Sequence, residues 1–191
     1  MTVTPFLFVT DLDNTLVGDD LALKTLNGKL SEHRQEFGTK IVYATGRSLY
    51  LYKQLAEEKS LLSPDVLICS VGTEIYFNPN KNVYDPEWAN LLSIGWNREE
   101  IADLSSKYTD LQQQPESEQN DFKISYYLSQ EAAQKILTQL ESDLADRGWQ
   151  VTLIYSAGQD LDIIPQKSDK GLAVKFLRQK LKITADRTVV C

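Results

Sequence analysis

Three short segments of this chain, Phe6-Leu7-Phe8-Val9, Lys40-Ile41-Val42-Tyr43-Ala44 and Val66-Leu67-Ile68-Cys69, carry their apolar residues at consecutive rather than alternate positions. A strand that is apolar on both faces has to be covered on both faces, as in a parallel sheet flanked by helices. The segments between them read as helices. Asp19 to Glu36 carries Leu21, Leu23, Leu26 and Leu30 as an apolar face, and a second helix carries Leu49, Tyr52, Leu55 and Ala56 until Ser63-Pro64 breaks it. This β-α-β-α-β order predicts a doubly wound, Rossmann-like α/β core with a parallel sheet. At 191 residues and 42% apolar content, the chain can build one such core, or a core plus a smaller unit.

From about Tyr76 the pattern changes. Asn78-Pro79-Asn80-Lys81-Asn82 reads as a turn, one that a hairpin could use, and Gln112 to Asn120 as polar loop. Helices are expected at Pro86 to Leu92 and Arg98 to Lys107. A strand follows at Phe122 to Leu128, then a helix capped by Ser129, then strands at Gln150 to Tyr155 and Leu161 to Ile164. The order predicts an α+β module, residues 78–161, inserted into a core made of residues 1–77 and 162–191. The core then resumes with a helix, Ser168 to Leu181, and a closing strand, Thr188 to Cys191.

The first strand runs into Thr10-Asp11-Leu12-Asp13-Asn14-Thr15. Residues i and i+2 of an extended chain point the same way, so Asp11 and Asp13 can converge just past the strand's end, where open α/β sheets bind ligands. Two carboxylates that close repel unless a cation or a shared proton intervenes. Asp, Asn and Thr are also ordinary turn residues, so on this segment alone a plain polar turn is an equally admissible reading. Three further motifs sit at strand ends: Ala44-Thr45-Gly46-Arg47, Val71-Gly72-Thr73-Glu74 and Ser168-Asp169-Lys170-Gly171. Each is weak by itself. Thr45 before Gly46 could merely cap a helix, and Lys170 could be a solvated lysine. A cation in a helix's first turn nevertheless opposes the helix dipole, a placement better explained by an anion bound there. Together the motifs supply a nucleophile, a second carboxylate, a hydroxyl and a lysine, the parts that phosphoryl transfer requires.

Composition narrows the field. Twenty Lys and Arg against 27 Asp and Glu leave a net charge of −7, with no dense basic stretch, which argues against nucleic acid or a membrane surface as partner. No run has the length of a membrane span, and the N-terminus lacks a signal peptide's basic region and cleavage site. Cys69 and Cys191 have neither metal-ligand nor disulfide spacing, so a reducing cytoplasm is expected. His33 is the only histidine and is expected at the surface, which removes most Ser-His-Asp, Cys-His and zinc chemistries.

The combination of Asp11-Leu12-Asp13-Asn14-Thr15, Ala44-Thr45-Gly46-Arg47, Val71-Gly72-Thr73-Glu74-Ile75-Tyr76 and Ser168-Asp169-Lys170-Gly171 resembles the haloacid-dehalogenase-like phosphatases. More narrowly, it resembles the sucrose-phosphate phosphatases of cyanobacteria and plants. The likeness includes Lys123-Ile124-Ser125-Tyr126 in the insertion and Asp160-Leu161-Asp162-Ile163-Ile164-Pro165 near its return. The resemblance implies a haloacid-dehalogenase core with an inserted cap, and Mg²⁺-dependent hydrolysis of sucrose-6-phosphate through an aspartyl-phosphate. By residue, it implies Asp11 as nucleophile, Asp13 as general acid and base, and Thr45 and Lys170 as stabilisers of the phosphoryl group. Mg²⁺ is expected on an oxygen of Asp11 and the backbone carbonyl of Asp13. Substrate recognition is expected from Gly46, Arg47, Glu74, Lys123 and Asp160, and the supplying sucrose-phosphate synthase is a candidate partner.

The family pattern continues after the last strand with a Gly-Asp-Ser-Gly-Asn-Asp type loop whose acidic residues complete the metal site. Here the chain stops at Cys191. The expectation is a fragment of a longer gene product whose parent is an active phosphatase. The competing expectations are a phosphatase for another sugar phosphate and a module that binds a sugar phosphate without hydrolysing it.

Overall fold

The computed structural model describes residues 5–191, so residues 1–4 of the expected core lie outside the described residues. The chain divides into two compact units, one running up to Trp88 and resuming at Asp169, the other Ala89–Ser168.

The first unit is built on β1 (Leu7–Thr10), α1 (Asp20–Phe37), β2 (Lys40–Ala44), α2 (Leu49–Glu58), β3 (Val66–Cys69) and β4 (Glu74–Tyr76). The doubly apolar strands form the expected sheet: β1 pairs in parallel with β2, and β2 with β3. Asp19 caps α1, its carboxylate accepting from the Leu21 and Ala22 amides, and Gly38 ends it in the left-handed conformation at φ 68°. Leu23 and Leu30 are buried and Leu26 packs against the core, whereas Leu21 is 75% exposed and lies off the apolar face expected to include it. β3 turns directly back into an antiparallel β4 through Ser70–Thr73. The hairpin is here, and Asn78–Asn82 instead holds a short 3-10 turn at Pro79–Lys81, pinned by the Asn78 carboxamide on the Asn80 amide. The sequence hid the hairpin because its turn runs through left-handed Ser70, Val71 and Gly72, at φ 51°, 62° and 98°. A β-branched residue in that region is a conformational outlier that no local propensity announces.

α3 (Pro86–Leu92) leads into the second unit, which comprises α4 (Arg98–Ser105), β5 (Gln112–Gln113), β6 (Ile124–Tyr127), α5 (Gln130–Asp146), β7 (Val151–Ser156) and β8 (Asp160–Pro165). Its antiparallel sheet has the order β5-β6-β8-β7. One sheet face, with Ile124, Tyr126, Leu161 and Ile163, packs on Ile101 and Leu104 of α4 and on Ala132, Ala133, Leu140 and Leu144 of α5. Ser129 caps α5, as its position predicts. The polar loop expected over Gln112 to Asn120 contains the edge strand β5 and a 3-10 turn at Glu116–Glu118. An exposed Gln-Gln pair carries no hydrophobic period by which a strand could be recognised.

α6 (Lys170–Leu181) and β9 (Thr188–Val190) return the chain to the first sheet, whose order is β4-β3-β2-β1-β9. The units part later in the chain than residues 77/78 and 161/162. On the entry side, the Asp85 amide bonds the Ile75 carbonyl at 2.7 Å, Asp85 pairs with Lys180, and Trp88 donates its indole N–H to the Gly72 carbonyl. On the return side, β8 remains in the second sheet to Pro165, and Ser168 closes a turn on the Pro165 carbonyl. Among the described residues no helix is long and apolar enough to cross a membrane. Cys69 is buried, Cys191 exposed and neither is in a disulfide, and exposed His33 shares a 2.6 Å hydrogen bond with the Thr39 hydroxyl.

Candidate active site

The first sheet grows outward from β1 in one direction through β2 and β3, and in the other through β9. The carboxyl end of β1 therefore lies at a switch point, where chain crossovers diverge and leave a crevice. Asp11 occupies that end. Its amide donates to the Cys191 carbonyl at 3.2 Å, and the Cys191 amide donates to the Val9 carbonyl at 3.0 Å. Beyond Asp11 the chain tightens at once: the Leu12 carbonyl accepts from the amides of Thr15, Leu16 and Val17, with Asn14 at φ 57°. Leu12 is fully buried and separates the half-buried Asp11 and Asp13. The extended backbone on which the sequence expectation relied ends with β1 at Thr10, and it is a turn that carries Asp13.

Each carboxylate has its own cation. Lys170 Nζ lies 2.7 Å from Asp11 Oδ2, and the Leu12 amide donates to Asp11 Oδ1 at 2.7 Å. Lys170 is the first residue of α6, whose N-cap is Asp169. The anion that its awkward helix position called for is, in this structure, Asp11. Asp13 is gripped by Arg47, with Nη2 2.7 Å from Oδ1 and Nε 2.9 Å from Oδ2. Paired cations of this kind remove the mutual repulsion of two neighbouring carboxylates.

Thr45 follows β2 and is fully buried, its amide donating to the Ile68 carbonyl. Its hydroxyl accepts from the Arg47 amide at 3.1 Å, and the cap of α2 is Ser48, not Thr45. Gly46 is exposed, and a Cβ there would meet nothing within 4 Å. The contacts Lys170–Asp11, Asp13–Arg47 and Arg47–Thr45 thus tie five of the expected site residues to one another across β1, β2 and α6, Leu12 joining the two carboxylates.

Glu74 is the first residue of β4. It is buried, and its Oε2 accepts from Ser70 Oγ at 3.0 Å and lies 3.5 Å from Cys69 Sγ. Burial first, then the charge of Glu74, pushes the Tyr76 hydroxyl far above its ordinary value. Lys123 and Asp160 belong to the second unit. Lys123, the residue before β6, pairs with Asp162 on β8 at 3.3 Å, Ser125 donates to Asp162 at 2.6 Å, and Gln114 donates to Asp160 at 2.9 Å. Ser125 and Asp162 stand in the two motifs quoted for the insertion without being expected as site residues, and nothing in the sequence points to Gln114. The period of two along each strand was the signal that places Ser125 and Asp162 on the face with Lys123 and Asp160.

Among the described residues no three His, Cys, Asp or Glu side chains cluster tightly enough to form a metal cage. The oxygen donors of Asp11 and Asp13 still suit magnesium in kind. That ion takes one or two carboxylates, and fills the remaining positions with water and substrate phosphate.

A family profile described as sucrose-6F-phosphate phosphohydrolase matches residues 4–191. Sucrose-phosphatase 2 of Nicotiana tabacum is 41% identical over 180 residues, which cover 92% of this chain and 42% of that protein. The chain thus spans about two-fifths of the length of the curated plant relatives it matches. Mannosylfructose-phosphate phosphatase of Agrobacterium fabrum is 30% identical over 184 residues, covering 96% of this chain and 73% of the relative. Among solved structures, the sucrose-phosphatase of Synechocystis sp. PCC6803, in complex with sucrose and phosphate, superposes with a TM-score of 0.87 at 37% identity. That match covers 97% of this chain and 74% of the other. The haloacid-dehalogenase-like fold expected from the motifs is the fold of this chain. The chain belongs to the sucrose-6F-phosphate phosphohydrolase family.

Proposed function

We propose that this member of the family hydrolyses a disaccharide phosphate, sucrose-6-phosphate foremost, to the free sugar and inorganic phosphate. The observation that carries the reading is the Lys170–Asp11 contact of 2.7 Å at the sheet's switch point, with Asp13 two residues on and held by Arg47. An oxygen of the Asp11 carboxylate attacks phosphorus. The bond from phosphorus to the sugar oxygen breaks, and the sugar oxygen takes a proton from Asp13. The aspartyl-phosphate so formed is hydrolysed by water, which gives its proton to Asp13, and Asp11 is regenerated with release of phosphate. A sugar alkoxide is a poor leaving group, so the second carboxylate is a chemical requirement. Lys170 and the Thr45 hydroxyl stabilise the charge that develops on the phosphoryl oxygens.

Magnesium, if held by a carboxylate oxygen of Asp11 and the Asp13 carbonyl, would supply further charge neutralisation at the phosphoryl group. Gly46, Lys123 and Asp160 remain the proposed substrate contacts, whereas the Arg47 guanidinium is engaged by Asp13. Glu74, turned inward to Ser70, acts instead through the shape of the turn that it holds. A second substrate is favoured by one specific likeness, that to the mannosylfructose-phosphate phosphatase, since both candidates are fructose-containing disaccharide phosphates.

The test is phosphate release from sucrose-6-phosphate and from mannosylfructose phosphate, with and without Mg²⁺, alongside Asp11→Asn. Release that needs Asp11 and the metal is the expected result, and the two kcat/KM values rank the substrates. Binding of the sugar phosphate without any release would assign the chain to the binding-module reading.

A further inference from the structure

Arg47 was expected among the sugar contacts, yet its guanidinium is spread across both oxygens of Asp13. The N···O distances are 2.7 Å from Nη2 to Oδ1, 2.9 Å from Nε to Oδ2 and 3.2 Å from Nε to Oδ1. The two cations of the site do different things to their carboxylates. An ammonium is a point charge and leaves a carboxylate free to turn about it, whereas a planar guanidinium fork fixes the plane of the group that it grips. Asp13 is the carboxylate that needs this. Its side chain is 43% exposed, so packing constrains its rotamer only in part.

Arg47 can serve as a fixed reference because its own backbone is tied down on both sides. Its amide donates to the Thr45 hydroxyl at 3.1 Å, and its carbonyl accepts from the Ser70 amide at 2.8 Å. The arginine therefore starts from a point set jointly by the end of β2 and the turn after β3. From there it reaches the loop after β1.

We propose that Arg47 is the positioning residue for Asp13, fixing the plane of its carboxylate so that the proton-transfer group keeps an orientation separate from that of the nucleophile two residues away. The proposal rests on the reading of Asp13 as acid and base. It separates two roles for Arg47, holding Asp13 or reading the sugar, that the sequence cannot distinguish.

The leaving group supplies the test. A sugar oxygen needs a proton to depart and p-nitrophenolate does not, so an arginine that acts through Asp13 matters mainly for the sugar phosphate. Arg47→Met is expected to lower kcat for sucrose-6-phosphate about 100-fold, and to exceed its own loss on p-nitrophenyl phosphate by about 30-fold. Asp13→Asn is expected to show the same selectivity, and the double variant to lose little more than either single one. Arg47→Lys restores the charge without the fork, and is expected to recover only a small part. Equal losses on both phosphates, full recovery by lysine, or a raised KM for the sugar phosphate at unchanged kcat would each overturn the proposal, the last in favour of sugar contact.

An NMR arm needs no turnover. The Arg47 Nε–H signal should be shifted and protected from exchange in the unsubstituted chain, lost in Asp13→Asn and retained in Asp11→Asn. An Arg47 signal indifferent to Asp13→Asn overturns the pairing even if the chain hydrolyses nothing. A chain inactive on both phosphates that still shows the paired signal contradicts the proposed hydrolysis and leaves the Arg47–Asp13 pairing standing.

Discussion

A Cβ placed on Gly72 would lie 2.3 Å from the carbonyl carbon of Asp169 and 2.6 Å from the Lys170 amide nitrogen. The turn after β3 and the start of α6 thus meet backbone to backbone, and Gly72, at φ 98°, is the residue that permits the approach. Lys170 reaches Asp11 from the helix end that rests on this turn. Gly72→Ala should therefore cost about 2–5 kcal/mol in urea denaturation, through overpacking plus backbone strain. It should also lower kcat further than its residual folded fraction explains. Gly46→Ala is the contrast: with open space around it and no left-handed φ, it should be neutral or stabilise by about 0.5 kcal/mol.

Lys170→Met separates activity from stability. The Lys170–Asp11 pair is about one-third exposed on each side, so its loss should change the unfolding free energy by no more than about 1 kcal/mol. Lost stabilisation of the phosphoryl charge should lower kcat for phosphate release by about 10²–10³-fold. Urea midpoints and turnover measured on the same preparations check both numbers. A large fall in stability at modest loss of rate would make Lys170 a structural residue.

How much of this was legible follows from where the signals lie. Strands β1, β2 and β3 announce themselves because burial on both faces leaves them no polar position to hide behind. Asp11, Asp13, Thr45 and Lys170 were legible as a set because each stands at the end of a strand or the start of a helix, where the sequence also changes character. Val71 in a left-handed conformation was not legible, since β-branched residues avoid that region. The partner of Arg47 was not legible either. An arginine after a strand says that an anion is near, but whether that anion is a substrate or Asp13 depends on where a different loop brings its carboxylate. Glu74 shows the same limit, its charge being taken up by Ser70 only because the hairpin turns it inward.

Alkaline pH should unfold the first unit cooperatively. Burial raises Tyr43, Tyr52 and Tyr76, Tyr52 to about 12 and the other two beyond it. A tyrosine with a raised folded pKa keeps its proton in the native state after the unfolded chain has lost it. Its contribution is therefore complete below pH 10.0, the ordinary value, and falls as pH rises through 12 and beyond. Each such group steepens the loss by about 1.4 kcal/mol per pH unit. Tyrosinate absorbance and far-UV circular dichroism should change together, and Tyr52→Phe should make the dependence shallower. Tyrosinate signal from these three residues appearing well before the loss of helix would contradict the burial argument.

Lys123 and Asp162 offer a test within the second unit alone. Their side chains are 3% and 14% exposed, and Asp162 also accepts from Ser125 at 2.6 Å. Removing one member of a buried pair strands the other charge, at a cost of about 3–5 kcal/mol, whereas removing both does not. Lys123→Met and Asp162→Asn should each lower the urea midpoint sharply, and the double variant should recover much of the loss, giving a coupling of about 1–3 kcal/mol. Single costs that simply add would mean that the two groups do not depend on each other. An ammonium has three donors, so holding Asp162 leaves Lys123 able to serve a sugar hydroxyl as well. Sugar phosphate should then raise the melting temperature of the unsubstituted chain by more than that of Lys123→Met. If the two shifts are equal, the lysine acts in folding and not in recognition.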